Sequence, residues 1–189
     1  MPKFILGLTG LPGCGKGTVA EYLQKRYGAS FFKFSAYLTN VLDVMGLERS
    51  RENQIKLSEA LRAAFGDNAL SHAISRDAQK ADVDLVVIDG FRRVNDLVKT
   101  LEHLPHFRLA AIEAEPRVRY ERIVARGEKT DEVNMTWEAF LAQEQRSTEV
   151  TVPEVMSRAS LHIHNNGTSQ ELEKELDDLM TQFRITRKD

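Results

Sequence analysis

A glycine-rich stretch, Gly10-Leu-Pro-Gly-Cys-Gly-Lys-Gly-Thr18, constrains the fold of this chain more than any other part of the sequence. It follows an apolar run over residues 3–9 that is typical of a buried strand, and it precedes residues 17–27, where apolar side chains recur at helical spacing. Glycines in such a turn let main-chain N–H groups point inward around an anion, and the start of the helix adds a partial positive charge. Lys16 supplies a full charge and Thr18 a hydroxyl. The segment therefore predicts a phosphate-binding turn between a strand and a helix.

The rest of the chain alternates apolar runs with amphipathic stretches. We predict strands over residues 3–9, 31–34, 84–89, 107–114 and 161–164. We predict helices over residues 17–27, 94–103, 116–126 and 136–145, helical structure from 37 to 80 with breaks near Gly46 and Gly66, and a last helix capped by Thr168 and Glu171. Strands separated by helices indicate βαβ units. The expected fold is therefore α/β in three layers: a mostly parallel five-stranded sheet with helices on both faces.

The length of 189 residues predicts a single domain over residues 1–189. Residues 36–80 lie between the second and third predicted strands and are long enough to form a helical flap that binds the second substrate. Residues 127–148 form a short lid-like segment in the same interpretation.

The charge balance and the single cysteine limit the partners and the compartment. Lys and Arg number 26 against 28 Asp and Glu, a net charge of -2, so neither nucleic acid nor an anionic membrane is an expected partner. Cys14 has no second cysteine in this chain with which to form a disulfide, which is typical of a reducing compartment. No apolar run reaches the roughly 18 residues that a membrane span requires. We expect a soluble cytoplasmic protein, either a monomer or a homodimer.

The form Gly-x-Pro-Gly-x-Gly-Lys-Gly-Thr over residues 10–18 resembles the P-loop of adenylate kinases. The general P-loop has Ser or Thr directly after the lysine as a magnesium ligand, whereas here Gly17 follows Lys16 and the threonine comes one residue later. The resemblance implies that ATP binds with Mg2+ held largely by phosphates and water, with Thr18 nearby. It also implies an ATP site made by Gly13, Cys14, Gly15, Lys16, Gly17 and Thr18. Two interpretations of Cys14 stay open, a small space-filling residue or a redox role.

A second motif, Asp89-Gly-Phe-Arg-Arg93, follows the most apolar predicted strand. Ligands of open α/β sheets bind at the carboxyl ends of the strands. If the first and third strands are neighbours, Asp89 faces the glycine-rich turn and can accept a hydrogen bond from metal-bound water; the alternative is an aspartate that caps the next turn. The motif resembles Asp-Gly-Phe-Pro-Arg of adenylate kinases, which implies that Arg93 contacts the acceptor phosphate. A less characterised branch of P-loop kinase-like proteins has Asp-Gly-x-Arg, which gives that role to Arg92 instead.

Arginines recur on the predicted helix 116–126. Helical spacing places Arg119, Arg122 and Arg126 on one face, either as a solvated surface or as charges that offset the phosphates of ATP. The run Glu121-Arg-Ile-Val-Ala-Arg126 resembles the helix that leads into the adenylate kinase lid, which implies that Arg122 and Arg126 contact adenine and the transferred phosphoryl group. Arg146, after the lid-like segment, is a further catalytic candidate.

Residues 160–167 resemble the last strand and turn of several nucleotide kinases, whose main chain lies along adenine. The resemblance implies that Asn166 and Gly167 belong to the ATP site.

The acceptor side departs from adenylate kinases. We expect Ser35 to close the second strand, where those enzymes place a hydroxyl near the acceptor, but Thr39 stands where they carry an arginine. Arg49 and Arg51 are candidate replacements that can reach a phosphate, and the alternative is a charged turn in which Ser50 caps the next helix.

The absence of an acid near the second strand bears on the reaction. Dephospho-coenzyme A kinases, which the C-terminal part also resembles, place an aspartate just after strand two, whereas this chain has Phe34-Ser-Ala-Tyr-Leu38. A phosphate acceptor has a second pKa near 6 and needs no base at neutral pH. We therefore expect ATP- and Mg2+-dependent phosphoryl transfer to a nucleoside or deoxynucleoside monophosphate, with Lys16, Asp89 and the arginines as catalytic groups. The alternatives are transfer to a hydroxyl, as in dephospho-coenzyme A kinase, or a nucleotide-binding regulatory protein without a small-molecule acceptor.

Overall fold

The computed structural model of the chain describes residues 3–126, 135–145 and 149–188. Its strands are β1 (Phe4–Thr9), β2 (Ser30–Lys33), β3 (Leu85–Asp89), β4 (Phe107–Glu113) and β5 (Leu161–His164). They form one five-stranded sheet in the order β2-β3-β1-β4-β5, and every pairing between neighbouring strands is parallel. This confirms the predicted α/β architecture.

The helices of the described residues follow the predicted alternation with strands. In chain order they are α1 (Lys16–Tyr27), α2 (Phe34–Val44), α3 (Arg51–Phe65), α4 (Ala69–Lys80), α5 (Val94–His103), α6 (Pro116–Arg126), α7 (Trp137–Glu144), α8 (Val152–Met156) and α9 (Ser169–Gln182). The short helix α8 is the one that the sequence did not predict. Among the helices in this part of the chain, none combines the length and the apolar character needed to cross a membrane.

The sheet separates two apolar layers. On one face, Leu6 and Leu8 of β1 pack in a cluster with side chains of α1 and α9. On the other face, Ile5 and Ile88 pack in a cluster with side chains of α2, α4, α5 and α8. Because successive strand residues point to opposite faces, a buried parallel strand must be apolar on both sides, which explains the continuous apolar runs of β1 and β3.

The strand order brings two of the sequence motifs together. The central strand β1 lies between β3 and β4, and Leu8 is in register with Asp89. The chain therefore leaves β1 and β3 at neighbouring points on the same edge of the sheet, where α/β proteins bind their ligands.

The flap helices are joined to one another and to α5 by polar contacts. The Tyr37 hydroxyl donates a 2.8 Å hydrogen bond to Oδ2 of Asp77, which links α2 to α4, and burial together with this carboxylate raises the pKa of Tyr37. Arg62 on α3 forms a buried ion pair of 3.0 Å with Asp96 on α5, and the Ser71 hydroxyl on α4 donates to the same carboxylate. Arg62, Asp96 and Ser71 together hold α3, α5 and α4 in position relative to one another.

The predicted lid-like segment is described only around α7, because residues 127–134 and 146–148 lie outside the described residues. Trp137 packs edge-on against Tyr120 of α6, with ring centroids 5.4 Å apart. This contact attaches α7 to the helix that carries the predicted ATP-binding arginines.

Candidate functional site

The glycine-rich loop runs from the end of β1 into α1. Gly13 and Gly15 have φ angles of 80° and 102°, which side chains with a Cβ rarely adopt. Gly15 is also the N-cap of α1 and makes no side-chain cap, so the first-turn N–H groups of this helix have no capping acceptor. A Cβ on Gly13 would lie 2.6 Å from the main-chain oxygen of Arg119. The loop is therefore held closely against α6. The N–H of Cys14 donates to the main-chain oxygen of Leu11 at 3.3 Å, and the uncapped first turn of α1 presents its N–H groups to an anion.

Lys16 is the first residue of α1, and its side chain folds back over the loop. Its Nζ donates to the main-chain oxygens of Gly10 and Leu11, at 2.6 and 3.3 Å. Gly17 and Thr18 are exposed at the start of the helix. The ammonium group of Lys16 thus lies over the glycine-rich loop, next to the start of α1.

Cys14 contributes its side chain to the core, with 1% of its surface exposed. Its sulfur packs in the cluster beneath α1 and α9, and its main-chain oxygen accepts a 2.9 Å hydrogen bond from Nδ2 of Asn165. Its burial supports the space-filling interpretation of this cysteine, although Nζ of Lys16 lies 3.5 Å from its sulfur.

Asp89 is the last residue of β3 and is 5% exposed. Its Oδ1 has no hydrogen-bond partner among the described residues, and its Oδ2 lies 3.9 Å from Nζ of Lys33. Buried carboxylate oxygens are normally hydrogen-bonded, so an unpartnered one at a ligand-binding edge fits a group that arrives with a ligand. Carboxylate oxygens and water are the ligands that Mg2+ prefers, so Asp89 fits the predicted contact to metal-bound water.

Arg122 on α6 is joined to the turn after β5. Its guanidinium donates to the main-chain oxygen of Asn165 at 2.8 Å and to Oδ1 of the same residue at 3.3 Å. The predicted residues of this turn, Asn166 and Gly167, are exposed, and Oδ1 of Asn166 accepts a 2.7 Å hydrogen bond from the main-chain N–H of Glu115. Asn165 was missed in the sequence because its contacts depend on three segments that are distant in the chain.

The three arginines predicted to share one face of α6, which are Arg119, Arg122 and Arg126, have different environments. Arg119 is buried and donates to Glu144 on α7 at 2.5 Å and to the main-chain oxygen of Ala114 at 3.0 Å, so its charge is used within the protein. Arg126 is exposed at the end of the helix. The further candidate Arg146 lies outside the described residues.

Two predicted acceptor residues meet at one carboxylate. Arg92, which follows β3, places Nη1 3.0 Å from Oε1 of Glu149, and Arg51 at the start of α3 places Nη2 on the same oxygen. The side chain of Glu149 is 2% exposed. No sequence pattern indicated Glu149, because its pairing joins segments that are 98 residues apart in the chain.

The other acceptor candidates do not join this cluster. Arg93 is exposed at the N-cap position of α5. The expectation that Ser35 closes the second strand is wrong: β2 ends at Lys33, and Ser35 lies in the first turn of α2, where its main-chain oxygen accepts a hydrogen bond from Thr39. The alternative interpretation of the charged turn is also realised, because Ser50 caps α3 by accepting from the N–H of Asn53.

The glycine-rich loop, the parallel sheet and its strand order define a P-loop kinase-like nucleotide-binding fold. Residues 9–139 match a family model described as an AAA domain. A UPF0200 protein of Thermococcus kodakarensis is 30% identical over 183 residues, covering 95% of this chain and 97% of that protein. One from Methanocaldococcus jannaschii is 26% identical over 181 residues, covering 95% of this chain and 90% of that protein. The chain belongs to the UPF0200 family and carries the AAA domain of that description.

Solved structures agree on the fold. The protein TT1252 from Thermus thermophilus superposes with a TM-score of 0.63 at 19% identity, over 96% of this chain and 98% of that one. A shikimate kinase from Bacteroides thetaiotaomicron superposes with a TM-score of 0.53 at 12% identity, over 96% and 98% of the two chains. Kinases are thus among the proteins that share this architecture.

Proposed function

We propose that this protein transfers the γ-phosphoryl group of ATP, with Mg2+, to the phosphate of a nucleoside or deoxynucleoside monophosphate, giving the diphosphate and ADP. One observation carries the proposal: Arg51 at the start of α3 and Arg92 after β3, which come from different elements, converge on the single carboxylate of Glu149. Two guanidinium groups that hold one oxyanion suit an acceptor that is itself an oxyanion.

The donor side of the proposal uses the glycine-rich loop. The N–H groups of residues 13–18 surround the phosphate chain of ATP, and Lys16 exchanges its contacts with the loop oxygens for the β- and γ-phosphates. Arg122, Arg126 and Arg146 offset the negative charge of the transferred group, with Asn166 and Gly167 along the adenine. Phosphoryl transfer depends mainly on such positioning and charge neutralisation.

Magnesium fits the residues at the sheet edge. Asp89, through water, and Thr18 would hold the ion, since one oxygen of Asp89 has no partner among the described residues. When bound, magnesium neutralises charge on the phosphate chain of ATP. Asp89 itself is kept in place by its register with β1, and its Oδ1 would accept a hydrogen bond from water on the ion.

The acceptor side requires no general base, because the oxyanion of a monophosphate is already the nucleophile at neutral pH. Arg51 and Arg92 bind that phosphate, whereas no hydrogen bond or ion pair joins Arg93 or Ser35 to this pair among the described residues. A shikimate kinase and a sugar kinase share the fold at low identity, so hydroxyl acceptors belong in the test.

The test is ADP release from ATP, measured with each nucleoside and deoxynucleoside monophosphate, with dephospho-coenzyme A, and with no acceptor. We expect stimulation by a monophosphate, and we expect Arg92→Ala to remove it. Arg158→Ala is the matched control, because Arg158 is an exposed arginine whose guanidinium lies 3.5 Å from the carboxylate of Glu154 on α8. Stimulation by the alcohol alone contradicts the choice of acceptor. Equal release with and without acceptors indicates a regulatory ATPase instead.

A further inference from the structure

The carboxylate of Glu149 occupies the place where the two acceptor arginines meet. It lies between α7 and α8, so it belongs to neither of the elements that carry Arg51 and Arg92. Its segment is fastened to the arginine segment, since the Thr151 hydroxyl donates a 2.6 Å hydrogen bond to the main-chain oxygen of Arg92. The main-chain oxygen of Glu149 also accepts a hydrogen bond from the N–H of Val152 at 3.0 Å. Glu149 is therefore held at this position by its own main chain.

We infer that Glu149 is a specificity-determining residue of the acceptor site: it stands in for the acceptor's phosphate until a phosphate monoester dianion displaces it. The inference rests on the proposed function only in assigning Arg51 and Arg92 to the acceptor. It adds the charge class of group that the site admits, together with the residue that enforces this choice.

The selection follows from what an entering anion must replace. A monoanion that displaces the carboxylate exchanges one negative charge for another, and the protein loses the contacts of a buried glutamate in the process. A dianion brings an additional charge to the same pair of guanidiniums, and its oxygens match the planar donor arrangement of arginine. Phosphate monoesters are dianions above their second pKa, near 6, whereas phosphate diesters and carboxylates stay monoanionic. The site should therefore admit monoesters and exclude the other two classes.

Calorimetric titrations with methyl phosphate and dimethyl phosphate, at about pH 8, where only the first is a dianion, test this directly. Wild-type protein should bind methyl phosphate and show no measurable binding of dimethyl phosphate. Glu149→Gln keeps the shape of the side chain and removes its charge. It should bind methyl phosphate at least about tenfold more tightly, a change of about 1.4 kcal/mol, and bind dimethyl phosphate measurably. Glu154→Gln, an exposed glutamate on α8, should behave as wild type.

Two further variants make the result specific. Arg92→Ala, added to the wild-type and Glu149→Gln backgrounds, should remove the binding at this site and leave any binding at the glycine-rich loop. Glu149→Asp keeps the negative charge but shortens the side chain by one methylene, so it should compete less well and give an intermediate affinity. Suppose that Glu149→Asp binds methyl phosphate with wild-type affinity while Glu149→Gln binds it more tightly. The negative charge at residue 149 would then act by repulsion alone, and the inference that the phosphate displaces this carboxylate would be overturned.

Unchanged or weaker binding of methyl phosphate by Glu149→Gln also overturns the inference. The same holds if neither the wild-type protein nor Glu149→Gln binds methyl phosphate. These titrations contain no ATP, so they separate the two proposals. Tighter binding in Glu149→Gln together with a failure of every acceptor to stimulate ADP release would leave the anion site in place and remove the kinase proposal.

Discussion

Arg122 and Asn165 are joined by two hydrogen bonds, from one guanidinium to the main-chain and side-chain oxygens of the same residue, at 2.8 and 3.3 Å. Asn165 also donates to the main-chain oxygen of Cys14. A single buried asparagine therefore fixes the orientation of a proposed catalytic arginine relative to the glycine-rich loop. Its amide uses both ends, since Oδ1 accepts from Arg122 and Nδ2 donates to the loop.

This arrangement predicts that Asn165 is a positioning residue. Asn165→Ala leaves the Arg122 guanidinium without its side-chain acceptor, and we expect the turnover of ATP to fall by up to about a hundredfold, because small misplacements of groups at a reacting centre have effects of this size. Asn95→Ala, an exposed asparagine on α5, serves as the control. The KM for ATP should rise together with the loss of turnover. A variant with native stability and wild-type kinetics would contradict this role.

Lys16 is predicted to supply a charge that the transition state requires. Lys16→Ala should lower turnover at least about a hundredfold, the range for removing a preorganised partner of transition-state charge. Lys25→Ala removes an exposed lysine from the last turn of the same helix and should leave turnover unchanged. Steady-state ADP release from both variants, with their unfolding midpoints, is the measurement. Near-normal turnover of Lys16→Ala would exclude this lysine from the mechanism.

The sequence predicted the elements that carry strong local signals. The bounds of α5, α6 and β5 match the predicted ranges, because apolar periodicity and Pro116 mark them locally. The cap of the last helix is also as predicted: Thr168 and Glu171 form a capping box. The α/β sheet could be predicted because strands and helices alternate along the chain, and this alternation is visible without knowledge of tertiary contacts.

The sequence could not supply contacts between distant segments. Helical spacing grouped Arg119 with Arg122, but only the fold shows that Glu144 of α7 neutralises Arg119. Glu149 lies 98 residues from Arg51, and no local pattern indicates that pairing. The helix α8 was missed because it has five residues, too few for a periodic pattern.

The buried ion pair between Arg62 and Asp96 predicts a large stability effect. Arg62→Met leaves Asp96 charged and buried, and breaking such a pair costs about 3–5 kcal/mol of unfolding free energy. Lys56→Met is the control on the same helix, since Lys56 pairs with Glu52 on the exposed face and should change stability little. Urea unfolding at neutral pH measures both. Equal stabilities of the two variants would show that the buried pair does not hold the flap.

The contact between Tyr37 and Asp77 predicts how stability depends on pH. The tyrosine hydroxyl bond lowers the pKa of Asp77 from its ordinary value of 3.8, against the opposing effect of burial. Because the unfolded state then binds the proton more readily, this contribution is present in full above the ordinary pKa and is lost as the pH falls through the lowered folded value. Tyr37→Phe should therefore reduce unfolding free energy at neutral pH and weaken its decline towards acid.

A tyrosine whose hydroxyl bonds to the main chain provides the control for that measurement. The Tyr120 hydroxyl donates to the main-chain oxygen of Met135 at 2.9 Å, and it bonds to no carboxylate among residues 3–126, 135–145 and 149–188, so Tyr120→Phe removes a hydrogen bond to a group that does not titrate. Its effect on unfolding free energy should be the same at neutral pH and well below pH 3.8, the ordinary pKa of an aspartate. If Tyr37→Phe shows the same constant difference, Asp77 is not the titrating group.

Binding of ATP at the glycine-rich loop underlies every catalytic role assigned above. The most direct measurement is a calorimetric titration of the protein with ATP, with and without Mg2+, compared with Lys16→Ala and Lys25→Ala. We predict saturable binding of one ATP per chain that is strengthened by Mg2+, retained in Lys25→Ala and strongly weakened in Lys16→Ala. No heat of binding with ATP under either condition, or equal binding by the two lysine variants, would contradict it.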